Sequence, residues 1–230
     1  MSPGHAELID GLNALLAGFI LLTAFAMVAT RQVLGVLRFF VLQSIFLAAA
    51  SLLLGFGRSS IHLIALGAIT VAAKVIAIPW VLRRMLPGDL YERREINQVI
   101  NIPSSLLLAL FLSIAAELLV SPLLAIASDP VIHVNLPIGL ACLLIGAYSL
   151  IARREAIPQM VGILAMENGA FLAGIAIAPD LPLIAELAIA VDVILIAVVI
   201  GVLTRNITQT IGTTEAASLS ELKEETEVWR

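Results

Sequence analysis

Two carboxylates stand near the middle of two apolar runs in the C-terminal half of the chain. Glu167 lies within the run 157–178, and Asp192 lies within the run 183–204. Each run is long enough to cross a bilayer, which takes about 20 helical residues at about 1.5 Å each. An ionised side chain at that depth costs at least about 2.5–3.5 kcal/mol unless it is paired, hydrated or protonated. The two groups therefore predict proton chemistry inside a membrane, since burial and a nearby cation act on a carboxyl group in opposite directions.

Three more charged residues fall within apolar runs. Lys74 lies about 12 Å from the end of its run, so it either extends its stem to the interface or takes part in a proton relay. Glu117 lies in the outer half of its run, where interfacial hydration and a functional role both fit. Glu186 is either a boundary residue of the last run or a member of the same pathway. The predicted proton pathway comprises Glu167, Asp192, Lys74, Glu186 and Glu117.

A structural role is the alternative for Glu167 and Asp192, which could form hydrogen-bonded polar clamps between helices. Asn168, next to Glu167, fits either role. Small residues around this point predict either a close approach of helices or a hydrated gap. They are Gly162, Ala165, Gly169, Ala173 and Gly174.

Composition predicts the scaffold that must hold these groups. The 230 residues are 60% hydrophobic and 13% charged, whereas soluble domains carry about 25% charged residues. We expect an all-α polytopic membrane protein of about seven transmembrane helices, because a helix satisfies its own backbone hydrogen bonds inside lipid. The predicted spans are 8–30, 33–56, 61–82, 103–127, 133–152, 158–178 and 183–205.

The spans divide into a four-span region, 1–128, a three-span region, 129–206, and a polar tail, 207–230. Between the third and fourth spans, residues 87–101 predict either a short interfacial helix or a polar loop. With seven spans, and leaving aside Lys74 within its span, the basic residues of the chain fall on one side except Arg58. That side is predicted to be cytoplasmic, which places the N-terminus outside and the C-terminus inside.

The residues Arg153–Gly169 (RREAIPQMVGILAMENG), with Glu186–Asp192 (ELAIAVD) and Gly212-Thr-Thr, resemble hydrogenase-4 component E. That family belongs to membrane-bound group 4 nickel–iron hydrogenases and formate hydrogenlyase-type complexes, and the resemblance covers the whole chain. The last three spans are also similar to the K-type subunit of respiratory complex I and the C-type subunit of multisubunit sodium/proton antiporters. There, acids of the middle and last spans form part of a polar axis for protons. By this resemblance Glu167 takes the first position and Asp192 the second, with Glu186 as its rival.

The resemblance implies a non-catalytic membrane subunit of a complex-I-like, redox-driven ion-translocating assembly, multi-pass in a prokaryotic inner membrane. It implies no cofactor and no metal in this subunit. The implied partners are antiporter-like and quinone-site-type membrane subunits, a peripheral redox arm and the lipid membrane. The sequence offers no nucleic-acid surface, because its basic residues occur mainly at span ends. The alternative function is a scaffold that binds antiporter-like subunits without carrying protons.

Overall fold

In the computed structural model, residues 3–80, 100–154 and 156–177 are described, and their regular elements are helices. Six of these helices are long and apolar enough to cross a membrane. They are α1 (Pro3–Ala29), α2 (Val33–Arg58), α3 (Ile61–Thr70, extended to Trp80), α4 (Ile102–Leu124), α5 (Pro130–Ala152) and α6 (Ala156–Ile177).

The helix boundaries follow from capping residues in the sequence. Asn101 precedes α4, and its side chain accepts a hydrogen bond from the Ser104 N–H at 3.0 Å. Asp129 precedes α5 in the same way and accepts from the Val131 N–H at 3.0 Å. Each cap is followed by a proline in the first turn, where its missing N–H costs nothing. At the other end of a helix, Ser59 terminates α2 with a left-handed φ of 55°.

The third helix changes its backbone pattern midway. α3 continues from Thr70 as a π-helix over Val71–Ala77, and a further stretch of α-helix reaches Trp80. A π-helix bonds residue i to i+5 and is uncommon; short π segments inside α-helices occur frequently at functional sites. Lys74 is the middle residue of this segment, which we call the π segment.

The described helices pack as a bundle in which α1 and α2 each contact several others. α1 packs against α2, α4 and α5, and α2 packs against α3, the π segment and α6. The most extensive interface lies between α5 and α6. Lys74 and Glu167 therefore meet where α2, the π segment and α6 come together.

Two contacts identify the ends of the bundle. Arg58, the last residue of α2, pairs with Asp129, which precedes α5, at 2.7 Å. At the opposite end, the Arg153 guanidinium donates to the Met27 carbonyl oxygen, joining the ends of α5 and α1. Arg58 thus lies at the other end from Arg153, as the alternation of spans requires.

The all-helical class and the first six spans are confirmed. The seventh span, the segment 87–99 and the tail 207–230 lie outside the described residues. The division at residue 128 and the orientation of the termini stay predictions.

Candidate functional site

A buried ion pair joins the π segment to α6. The Lys74 ammonium lies 3.0 Å from Oε2 of Glu167, with the two side chains 0% and 6% exposed. The lysine does not reach the interface along its stem, which was one of the two possibilities left by the sequence. Its partner is instead the mid-span carboxylate, so two of the predicted pathway residues form one site.

Two further contacts of the lysine among the described residues also come from α6. Nζ of Lys74 donates to Oδ1 of Asn168 at 3.0 Å. It also lies 4.5 Å from the centre of the Phe171 ring, within cation–π range. Glu167, Asn168 and Phe171 thus give the ammonium an anion, a carbonyl oxygen and a π face. These partners make a buried cation tolerable, since an unpaired one is strongly destabilising.

Asn168 connects the ion pair to α2. Its amide nitrogen donates to Oε1 of Gln43 at 3.2 Å and to Oγ of Ser44 at 3.0 Å. Gln43 in turn donates to the Ile20 carbonyl oxygen of α1 at 3.3 Å. The network is buried throughout and fixes the orientation of the Asn168 amide, so that its oxygen points at Lys74.

Among the described residues of this network, Lys74 and Glu167 carry the ionisable groups. Lys74 and Glu167 can exchange a proton directly across 3.0 Å, which is hydrogen-bond distance. Asn168 and Gln43 can orient the pair but are not proton donors of comparable acidity. The arrangement can therefore hold a proton in either of two forms, as an ion pair or as a neutral amine and acid. Passage onward requires further groups or water.

The other predicted pathway residues do not join the pair within the described residues. Glu117 is exposed on α4, which packs against α1 and α5. Its neighbours Leu118 and Leu119 are exposed as well. Asp192 and Glu186 lie outside the described residues.

The small residues of α6 produce a close approach of helices. A Cβ on Gly139 of α5 would lie 2.5 Å from the Ala173 nitrogen and 2.7 Å from the Gly169 oxygen of α6. A Cβ on Gly146 would lie 2.6 Å from the Met166 nitrogen. Glycines at these places let two backbones touch, as small residues do in membrane helix pairs. The α5–α6 interface is therefore closely packed at these glycines, which is the close approach of helices that the small residues predicted.

A second polar contact ties α1 to α5, and the sequence reasoning missed it. Asn13 and Asn135 exchange two side-chain hydrogen bonds of 2.9 and 3.2 Å, and both residues are buried. Gln43 and Ser44 were missed as well. The signal for Asn13, Gln43 and Asn135 is the cost of burying an unpaired amide in an apolar run, which requires a partner on another helix. Ser44 gives a weaker signal, because its hydroxyl also bonds the Phe40 carbonyl of its own helix.

A narrow cavity lies between the ion-pair network and the end of the bundle marked by Arg153. Its volume is about 10 Å³, close to the minimum for one water molecule. Val161 and Ala165 line it on α6, and Arg153 and Ser149 line it on α5. Asn168 follows Val161 and Ala165 on the same helical stripe. The cavity is confined to the Arg153 side of this stripe, and none of Lys74, Glu167 and Asn168 lines it.

Comparison with known proteins finds relatives that align with this chain over nearly its whole length and nearly the whole of their own. The chain is 30% identical over 209 residues to the uncharacterized protein Rv0085 of Mycobacterium tuberculosis, covering 90% of this chain and 94% of the relative. The chain belongs to the family of Rv0085. It is also 26% identical over 215 residues to hydrogenase-4 component E of Escherichia coli K12 and of Shigella flexneri, covering 90% of this chain and 95% of each relative.

No family model matches the chain, and no solved structure matches it. The expected resemblance to hydrogenase-4 component E is thus supported as a distant similarity over nearly the whole chain. The expected similarity to the K-type subunit of complex I stays a prediction.

Proposed function

We propose that this protein is a membrane subunit of a respiratory-type, redox-driven ion-translocating complex of the hydrogenase-4 kind, and that the Lys74–Glu167 pair holds and releases a proton during translocation. The buried ion pair is the observation that carries this proposal. The distant similarity to hydrogenase-4 component E supports the complex, and six membrane-length helices support a multi-pass membrane protein. Its place in a prokaryotic inner membrane is part of the proposal.

In this proposal the pair is a coupling element and the chemistry of electron transfer occurs in other subunits. A change of charge in a neighbouring subunit would shift the balance between the ion pair and its neutral form. Asn168 keeps Lys74 in place through that change. Asp192, with Glu186 as its rival, and Glu117 would supply the groups by which the proton arrives or leaves. Antiporter-like and quinone-site-type membrane subunits and a peripheral redox arm are the proposed partners.

The test must separate proton transfer from assembly. Removing one member of a buried pair leaves an uncompensated charge and destabilises a protein, whereas removing both members is often neutral. The decisive variant is therefore the double substitution Lys74→Met with Glu167→Gln, which leaves no net buried charge. Its controls are the two single variants.

Assembly is measured by co-purification of the complex, and pumping by acidification of inverted membrane vesicles during redox turnover. We expect the double variant to assemble and to lose most of its pumping. An assembled double variant that pumps at the wild-type rate would overturn the proton role.

A scaffold that carries no protons is the second candidate function. It is favoured by the exposure of α4. Only 17% of the residues in the apolar stretch of this helix are buried, so that most of its surface is free for another subunit. Under this alternative the double variant keeps both assembly and pumping. Large apolar-to-polar changes on α4, such as Leu119→Gln, would then prevent co-purification.

A further inference from the structure

A surface groove lies between α2 and the π segment, at the same end of the bundle as Arg153. Its volume is about 430 Å³, within the range of about 300–1,000 Å³ that small-molecule sites occupy. One wall is a single face of α2, and the other belongs to the π segment and its continuation. The lining residues are Leu34, Leu37, Arg38 and Val41 on α2, and Val75, Ile76, Pro79 and Trp80 opposite.

The groove is lined by apolar side chains except for Arg38, which lies between Leu34 and Val41 on the α2 wall. Arg38 is five residues into α2, about 7.5 Å from the first residue of the helix. An arginine at this depth reaches the level of lipid headgroups by extending its stem. Within the described residues no carboxylate forms an ion pair with Arg38. The groove therefore offers a cation for an anionic group and an apolar trough for a chain attached to it.

The opposite wall of the groove also lies near the level of the lipid headgroups. Trp80 is 59% exposed and lies at the end of the third span, and tryptophan is enriched at the membrane–water interface. Ile76, one turn deeper, is 62% exposed and faces the groove. A basic group between membrane helices near the interface is typical of a site for an anionic lipid headgroup, and Arg38 on the facing wall supplies it.

We propose that this groove binds one anionic phospholipid, with its phosphate at Arg38 and an acyl chain lying along Leu37, Val41, Val75 and Ile76. The site is distinct from the buried ion pair, although Val75 and Ile76 follow Lys74 directly, because Lys74 points into the bundle with no exposure. The proposal does not depend on proton transport. A bound lipid would cover the outer wall of the π segment.

The first experiment titrates the purified full-length chain with dioleoylphosphatidylglycerol and dioleoylphosphatidylcholine and counts bound lipids by native mass spectrometry. Arg38→Gln should weaken binding of the anionic lipid about fivefold, since one basic residue near a membrane surface contributes about 1 kcal/mol. It should leave the zwitterionic lipid unaffected. Arg31→Gln is the matched control, because Arg31 is exposed at the same end but does not line the groove. Equal affinities of Arg38→Gln and Arg31→Gln for the anionic lipid would overturn the proposal.

Filling the groove tests the acyl chain independently of charge. Ile76→Trp should abolish the bound anionic lipid, while Ile45→Trp, on an exposed part of α2 outside the groove, should leave it bound. A groove-filled variant that retains the lipid would contradict the assigned position.

A photo-crosslinker identifies the occupant in native membranes. With p-benzoylphenylalanine in place of Ile76, illumination should attach a phospholipid that mass spectrometry identifies by its headgroup. Attachment to a neighbouring subunit, or to a peptide of this chain, would overturn the lipid assignment and name the true occupant.

Discussion

Glu167 and Glu117 are both carboxylates in long apolar helices, yet their surroundings are opposite. Glu167 is 7% exposed and paired with Lys74. In its helix, α6, 67% of the residues in the apolar stretch are buried. Glu117 is exposed among leucines, on a helix in which 17% of the residues in the apolar stretch are buried. A carboxylate within hydrocarbon needs a partner. For Glu167 that partner is Lys74 of the same chain. Glu117 has no ion-pair or hydrogen-bond partner among the described residues, so hydration or a group outside them must stabilise its carboxylate.

The comparison separates two kinds of region. Around Glu167 the chain supplies its own contacts. They are the hydrogen bonds of the polar groups, the glycine contacts with α5 and the ring of Phe171. Around Glu117 the surface is apolar and unpaired, as expected of a face that meets lipid or another subunit. A change at the first region should act on the isolated protein. A change at the second should act only in the complex.

The largest expected effect follows from removing the Glu167 carboxylate. Glu167→Leu leaves the Lys74 ammonium buried without its anion, and breaking a buried pair in this way costs about 3–5 kcal/mol. Glu117→Leu should change the stability of the isolated chain by no more than about 0.5 kcal/mol. Both are measured as the free energy of unfolding of the full-length chain in mixed micelles. Equal losses for the two variants would remove the distinction between the two regions.

The sequence located the charges and left their pairing open. Lys74 and Glu167 stand out because charges are rare in apolar runs, but no spacing rule links residues 93 positions apart on different helices. Exposure of Glu117 could not be predicted, since α4 is apolar all round and shows no lipid-facing stripe. The small residues of α6 were visible, whereas their partners Gly139 and Gly146 on α5 depend on helix packing.

The next effect concerns the backbone contact that positions Glu167. Gly169→Ala places a Cβ against the Leu143 nitrogen and the Gly139 oxygen of α5, and such overpacking costs about 1–3 kcal/mol. Gly18→Ala is the control, because a Cβ there meets nothing within 4 Å. That change should be neutral or stabilising by up to about 1 kcal/mol, since alanine favours helix. A Gly169→Ala protein as stable as Gly18→Ala would mean that α5 and α6 are not closely packed.

A smaller effect is expected at the Asn13–Asn135 contact, which is buried but uncharged. The two single leucine variants and the double variant form a thermodynamic cycle for the pair. Hydrogen bonds between membrane helices average about 0.6 kcal/mol in such cycles, with a maximum near about 1.7. We expect a favourable coupling within this range in micelles. A coupling of zero would show that the two amides act independently.

The smallest effect belongs to the pair Arg58–Asp129 at the end of the bundle, whose side chains are 34% and 31% exposed. Arg58→Gln is the better probe, because Asp129 also caps α5 and its removal would cost a helix cap. Ion pairs of this exposure contribute about 0.2–1 kcal/mol and weaken with salt. At about 1 M salt, where the screening length is about 3 Å, the difference between Arg58→Gln and the wild type should therefore vanish. The loss caused by Glu167→Leu should persist, since a buried pair is screened far less. A salt-insensitive Arg58→Gln would place this end of the bundle out of contact with water, because only a pair withheld from the ionic solution escapes screening.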